Sequence, residues 1–110
     1  MPTELVSFEE FKKMDLRVAR VVSVADHPNA SKLYVIQLDI GGETRQTVAG
    51  LKGYYTAAQL VGKHVVAICN LAPAVLRGKR SEAMMLAAQQ GDKVVLVVPE
   101  GEMTPGSRIL

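Results

Sequence analysis

Residues 33–71 read LYVIQLDI GG ETRQTVAGL KGYY TAAQL VGK HVVAICNL, and this stretch decides the fold. Its first piece, Leu33 to Ile40, places apolar side chains at Leu33, Val35, Leu38 and Ile40, with a slip in phase near Ile36. A period near two is the signature of a half-buried strand. Gly41-Gly42 is a hairpin signal, because tight hairpin turns need positive φ angles that glycine takes without strain. Thr44 to Leu51 is then the returning strand, closed by Gly50 and Gly53. Thr56-Ala57-Ala58-Gln59-Leu60 makes one or two helical turns, with Thr56 as N-cap and Gly62 as the stop. His64 to Leu71 is an unbroken apolar run that reads as a buried strand.

The flanks extend the same pattern. Leu16 to Val24 is β-branched and ends at the turn cluster Asp26-His27-Pro28-Asn29. Before it, Ser7 and Glu10 have capping-box spacing, which predicts a short helix. Phe8, Phe11 and Met14 share one face of that helix, and so apolar a face must dock on the chain's own sheet or on a partner subunit. Downstream, Pro73 and Gly78 bracket an extended piece, Ala83 to Ala88 is apolar with two methionines, and Val94 to Val98 is a last strand ended by Pro99. The tail, with Pro105 and Gly106, reads as a surface loop. Five to seven short strands, with a short helix after the third, argue against alternating βαβ units. They predict an all-β, five-stranded OB-fold barrel with a short N-terminal helix and a C-terminal extension.

The 110 residues make a single domain, 1–110, with no room for separate cofactor and substrate halves. The lone Cys69 excludes an intramolecular disulfide framework and a Cys-rich zinc site, and is read as a small core residue. No apolar run reaches the ~20 residues of a membrane span, and no signal pattern opens the chain, so a soluble, cytoplasmic protein is expected. His27 and His64 have no ligand-type spacing; they read as a surface histidine in a turn and a strand-end histidine. With no phosphate loop, dinucleotide fingerprint or nucleophile elbow, the expectation is a chain that is not an enzyme and needs no metal or cofactor.

The net charge of +2 conceals an uneven distribution. Residues 1–11 sum to −3, residues 12–80 carry 11 bases against four acids, and residues 81–110 sum to −2. A basic middle is compatible with an anion-binding face or with a solvated surface. Two places concentrate it. One is the loop Asn29-Ala30-Ser31-Lys32-Leu33, which sets Lys32 at the mouth of a strand. The other is Asn70-Leu71-Ala72-Pro73 followed by Leu76-Arg77-Gly78-Lys79-Arg80-Ser81. Arg77, Lys79 and Arg80 suit phosphate contacts, and equally suit a basic turn that keeps a sheet edge soluble. Only five rings and no Trp occur in the chain, too few for a ladder of stacked bases. A nucleic-acid ligand would be read by shape and backbone, which favours structured RNA.

Seven segments occur in the order found in a known family: Asp15-Leu16-Arg17-Val18, Asn29-Ala30-Ser31-Lys32-Leu33, Val48-Ala49-Gly50-Leu51, Tyr54-Tyr55-Thr56, Leu60-Val61-Gly62-Lys63, Asn70-Leu71-Ala72-Pro73 and Ser81-Glu82-Ala83-Met84-Met85-Leu86-Ala87-Ala88. Over about residues 8–110 the chain resembles the tRNA-binding OB domain found at the C-terminus of many bacterial methionyl-tRNA synthetases, and Met1 and the length look like its free-standing form. The resemblance implies a non-catalytic homodimer that binds tRNA by shape and aids an aminoacyl-tRNA synthetase in trans. It implies RNA contacts at Lys32, Asn70, Arg77, Lys79, Arg80, Ser81 and Met84, and dimer contacts from Phe8 and Phe11. The family pattern Ser-x-Gly-Met reads Ser81-Glu82-Ala83-Met84 here, which adds a methyl group and a negative charge. The related CsaA-type chaperones, which bind unfolded or precursor proteins, rank second because their basic-loop residues differ from the pattern seen here.

Overall fold

The computed structural model describes residues 4–110; Met1, on which the free-standing reading leans, lies outside them. The elements follow in the order α1 (Phe8–Lys12), β1 (Leu16–Asp26), β2 (Tyr34–Asp39), β3 (Thr44–Ala49), α2 (Ala57–Leu60), β4 (His64–Ile68), β5 (Ala74–Leu76), β6 (Lys79–Ser81), β7 (Met84–Met85), β8 (Ala87–Gln90) and β9 (Lys93–Leu96). Five of them form one antiparallel sheet in the order β3-β2-β1-β4-β7, while β5-β6 and β8-β9 are separate hairpins.

The long strand β1 lets the sheet curl. Its first half pairs with β4 and its second half with β2, and Arg20 is opposite both His64 and Asp39. A register shift between Val21 and Ser23 adds the bulge that bends it. The outer edge of β3 meets residues 80–83, which nearly closes the barrel. Glu82 N donates to Gln46 O at 2.7 Å, Gln46 Nε2 to Arg80 O at 2.8 Å, and Thr47 Oγ1 to Ala83 O at 2.7 Å. The outcome is the expected five-stranded barrel of OB type.

The barrel interior follows from side-chain phase. Tyr34, Ile36, Leu38 and Ile40 point inward. This corrects the phase read from the sequence: Leu33 and Val35 are only half-buried, and an apolar outer face had blurred the alternation. Leu60, fully buried, plugs the interior from α2, whose capping box pairs Thr56 with Gln59 as its residues predict. Strand β4 stops at Ile68 rather than Leu71, because Cys69 N turns to bond Asp15 O at 2.8 Å and Leu71 emerges into solvent.

The tail is not a free surface loop. Val18 N donates to Ser107 O, Gly106 N to Val18 O, and Ile109 N to Leu16 O, at 2.8 to 3.0 Å. The tail thus lies along the part of β1 that β2 leaves unpaired, and satisfies backbone groups that would otherwise be an open edge. Helix α1 has both halves of its predicted capping box but buries no residue, and Phe8 is 70% exposed. On its apolar face Phe11 is half-buried while Phe8 and Met14 stay exposed, so the chain's own sheet leaves much of that face uncovered.

Cys69 is buried as expected, and burial raises its thiol pKa above the ordinary value. Little thiolate forms at neutral pH, and the thiolate is the reactive species. Native protein should therefore react with a chromogenic disulfide reagent at least roughly 100-fold more slowly than protein in denaturant. Comparable rates in the two conditions would refute the buried placement.

Candidate nucleic-acid interface

Two long connections dominate one region of the barrel. The first, 27–33, joins β1 to β2; the second, 69–83, joins β4 to β7 and carries the β5-β6 hairpin. In OB barrels the corresponding loops flank the ligand face. His27 holds them together. It is buried, contrary to the surface position read from its turn cluster. Its Nδ1 accepts from Asn29 N at 2.9 Å, and its Nε2 lies 2.9 Å from Leu76 O, to which it donates. The first bond is local and belongs to the turn. The second crosses 49 positions in sequence, which no local pattern announces. The loop that carries Lys32 is thereby tied to the hairpin that carries Arg77, Lys79 and Arg80.

The hairpin sorts its own side chains. Arg77 and Gly78 take φ of 54° and 90°, the two positive angles of a tight hairpin turn. The register pairs Ala74 with Ser81, Val75 with Arg80 and Leu76 with Lys79. Directly opposed residues share a face and successive residues alternate. Lys79 therefore lies with Leu76, Ala74 and Ser81, and Arg80 with Val75 on the reverse side. Arg80 is also engaged: its Nε is 3.2 Å from Glu82 Oε2.

The pairing of charges reduces the basic middle to fewer free cations. Arg17 makes two bonds to the Asp15 carboxylate, which raise its pKa further, and a third bond to Ile40 O. Arg45 bonds Glu43 and Cys69 O, and Lys52 lies 3.0 Å from Asp26. Among the described residues Lys32, Arg77 and Lys79 have no acidic partner. No cluster of three or more His, Cys, Asp or Glu that could hold a metal occurs among them.

Two expected contact residues are occupied within the chain. The Asn70 side chain accepts from Asp15 N at 2.8 Å and donates to Lys13 O at 2.7 Å, which clamps the α1-β1 junction to the end of β4. Ser81 Oγ accepts from Val48 N at 3.1 Å and donates to Ala83 O at 3.2 Å. Ala83 is buried in the core cluster, so its methyl group points away from solvent. Met84 is 44% exposed and Met85 only 8%, so the pair divides between surface and core. The region thus brings Lys32, Arg77 and Met84 out to solvent, with Lys79 half-buried beside them. Sequence reasoning missed His27; the His27-to-Asn29 spacing of a side-chain-closed turn was its only local trace.

Glu82 restrains Arg80. Replacing Glu82→Gln removes both the ion pair and a negative charge near the hairpin, and should raise affinity for an RNA polyanion by roughly two- to fivefold at 0.1 M salt. A filter-binding titration measures this, and weaker binding would contradict it.

A nearly closed barrel with unpaired cations on these two connections is the build of an oligonucleotide-binding module. A family model described as "Putative tRNA binding domain" matches residues 16–108, and the chain belongs to that family. It is 53% identical over 106 residues to methionine–tRNA ligase of Thermococcus kodakarensis, covering 96% of this chain and 14% of that enzyme. For the ligase of Thermotoga maritima the identity is 42% over 104 residues, covering 94% and 16%. The chain thus spans about one-seventh of the curated relatives it matches. Among solved structures, the MetRS related protein from Pyrococcus horikoshii superposes with a TM-score of 0.90 at 29% identity, covering 98% of this chain and all of that one. Chaperone CsaA from Bacillus anthracis gives a TM-score of 0.87 at 28% identity, covering 97% and 100%.

Proposed function

We propose that the chain is a non-catalytic tRNA-binding module that holds the folded RNA by its backbone and supplies affinity in trans to an aminoacyl-tRNA synthetase in the cytoplasm. The observation that carries this is the His27 link, which joins the Lys32 loop and the basic hairpin into one cationic region. Cations held in fixed relation can each displace a counterion from the RNA, whereas scattered ones cannot do so together. The contacts assigned are Lys32, Arg77, Lys79 and Met84, with Arg80 available when it leaves Glu82. Asn70 and Ser81 act by holding the surrounding loop. The active species is a homodimer, supported by the uncovered apolar face of α1 around Phe8. The likeness to CsaA favours one other reading, capture of apolar polypeptide beside Met84; suppression of a client's aggregation that competing tRNA leaves unchanged would support it.

The test is filter binding of bulk tRNA across a salt series. The logarithm of the binding constant should fall linearly with the logarithm of salt, with a slope of roughly −2 to −4 for three or four phosphate contacts. No retention of tRNA at low salt, or binding indifferent to salt, would overturn the proposal.

A further inference from the structure

Two cavities flank Met84. One, of about 180 Å³, lies under the hairpin and is lined by Leu71, Ala74, Leu76 and Ser81. The other, of about 230 Å³, lies toward the barrel and is lined by Thr47, Leu51, Met85 and Leu96. Val48 and Met84 line both, so the cavities adjoin at these two side chains, of which Met84 is half-exposed and Val48 buried. The walls are apolar, and their hydroxyls are turned inward: Ser81 and Thr47 both donate to Ala83 O. Lys79 shares the hairpin face of the first cavity.

Resting on the tRNA-binding reading, we propose that these cavities take two consecutive unpaired bases of the RNA, parted by Met84, while Lys79 neutralises a phosphate beside them. Charge complementarity selects this occupant. Apolar hollows beside an unpaired lysine suit a ligand that alternates flat, weakly polar rings with anionic linkers, and each hollow has the size of a single base. A flexible thioether is well suited to fill the gap between two splayed rings. Because the lining hydroxyls are already used, no base edge is read, and any base is accepted. The site selects for unpaired nucleotides and not for their identity.

The experiment uses an RNA duplex carrying 3′ single-stranded extensions of zero to three nucleotides. Affinity should rise by about tenfold in total and level off at two nucleotides, less than aromatic stacking platforms give because no ring lines either cavity. A 2-aminopurine in the extension should brighten on binding, as its ring leaves the stack for a non-aromatic pocket. Ala74→Phe fills the hairpin-side cavity from an exposed position, and should abolish the gain while leaving the salt slope of duplex binding unchanged. Thermal unfolding confirms that the variant folds, and Met84→Ala, which removes a side chain that lines both cavities, should show the same loss. Equal affinity for all four duplexes, or a full gain in both variants, would overturn the two-base site while leaving tRNA binding intact. Loss of client protection in Ala74→Phe without loss of the extension gain would assign the cavity to polypeptide instead. Failure of the wild-type chain to retain tRNA at all would overturn both proposals.

Discussion

Reversing two cations together, Lys32→Glu with Lys79→Glu, is expected to weaken tRNA binding by roughly 100-fold at 0.1 M salt, and to flatten the salt dependence by about two units of slope. The size follows from counterion release: at 0.1 M salt each phosphate contact is worth about a factor of eight relative to 1 M. Two lost contacts account for most of the effect, and the repulsion of two new negative charges adds the remainder. The pair spans both connections, so it tests the joint surface and not either loop alone. Both residues lack acidic partners, and neither belongs to the core, so stability should change little. By contrast Arg17→Glu would break a bond to Ile40 O and act through the fold. Filter binding with a thermal melt of each variant separates these effects. Unchanged affinity in the double variant would remove the hairpin and the Lys32 loop from the interface.

Gly41→Ala is expected to destabilise the domain by about 3 kcal/mol, which lowers Tm by roughly 10–20 °C at this size. Gly41 sits at φ 97°, where side chains are strained in any surroundings. A Cβ there would also lie 2.7 Å from Gly106 Cα and 2.9 Å from Pro105 O, both backbone atoms with no rotamer to yield. Gly42→Ala is the control. Its φ of 86° carries similar strain, but an added Cβ meets nothing within 4 Å. The strain alone should cost about 1–2 kcal/mol. Equal losses in the two variants would show that the crossing of Gly41 over Gly106 carries no energetic weight. The larger loss should be accompanied by faster amide exchange at Gly106 and Val18, whose bonds between the tail and β1 depend on the crossing.

How far the sequence foretold this molecule depends on whether the deciding contact was local. The Ser7 and Thr56 capping boxes are three-residue patterns, and both formed as their spacing predicts. The Gly41-Gly42 hairpin and the strands around it are also local, and they were legible except for their inward phase, which Val35 obscured. The basic hairpin could be located from Arg77, Gly78, Lys79 and Arg80. Which cation faces which side could not, because it depends on the pairing of Leu76 with Lys79. His27 was misplaced for the same reason: its turn neighbours suggest exposure, whereas its burial comes from a carbonyl 49 positions away. The tail's docking on β1 likewise rests on contacts between the two ends of the chain. The seven-segment resemblance indicated the tRNA-binding family, and the 16–108 family match bears it out; the division of labour between Asn70, which clamps, and Lys79, which stays free, needed coordinates.

The pairing of residues 106–109 with Leu16 and Val18 has a consequence for synthesis. The ribosome releases β1 nearly ninety positions before the strip that completes its edge. Until that strip emerges, the backbone amide and carbonyl of Val18 face solvent and can pair with any passing strand. The barrel is therefore a fold that a growing chain cannot finish piecemeal, and its first strand is the segment most in need of shielding while translation is under way.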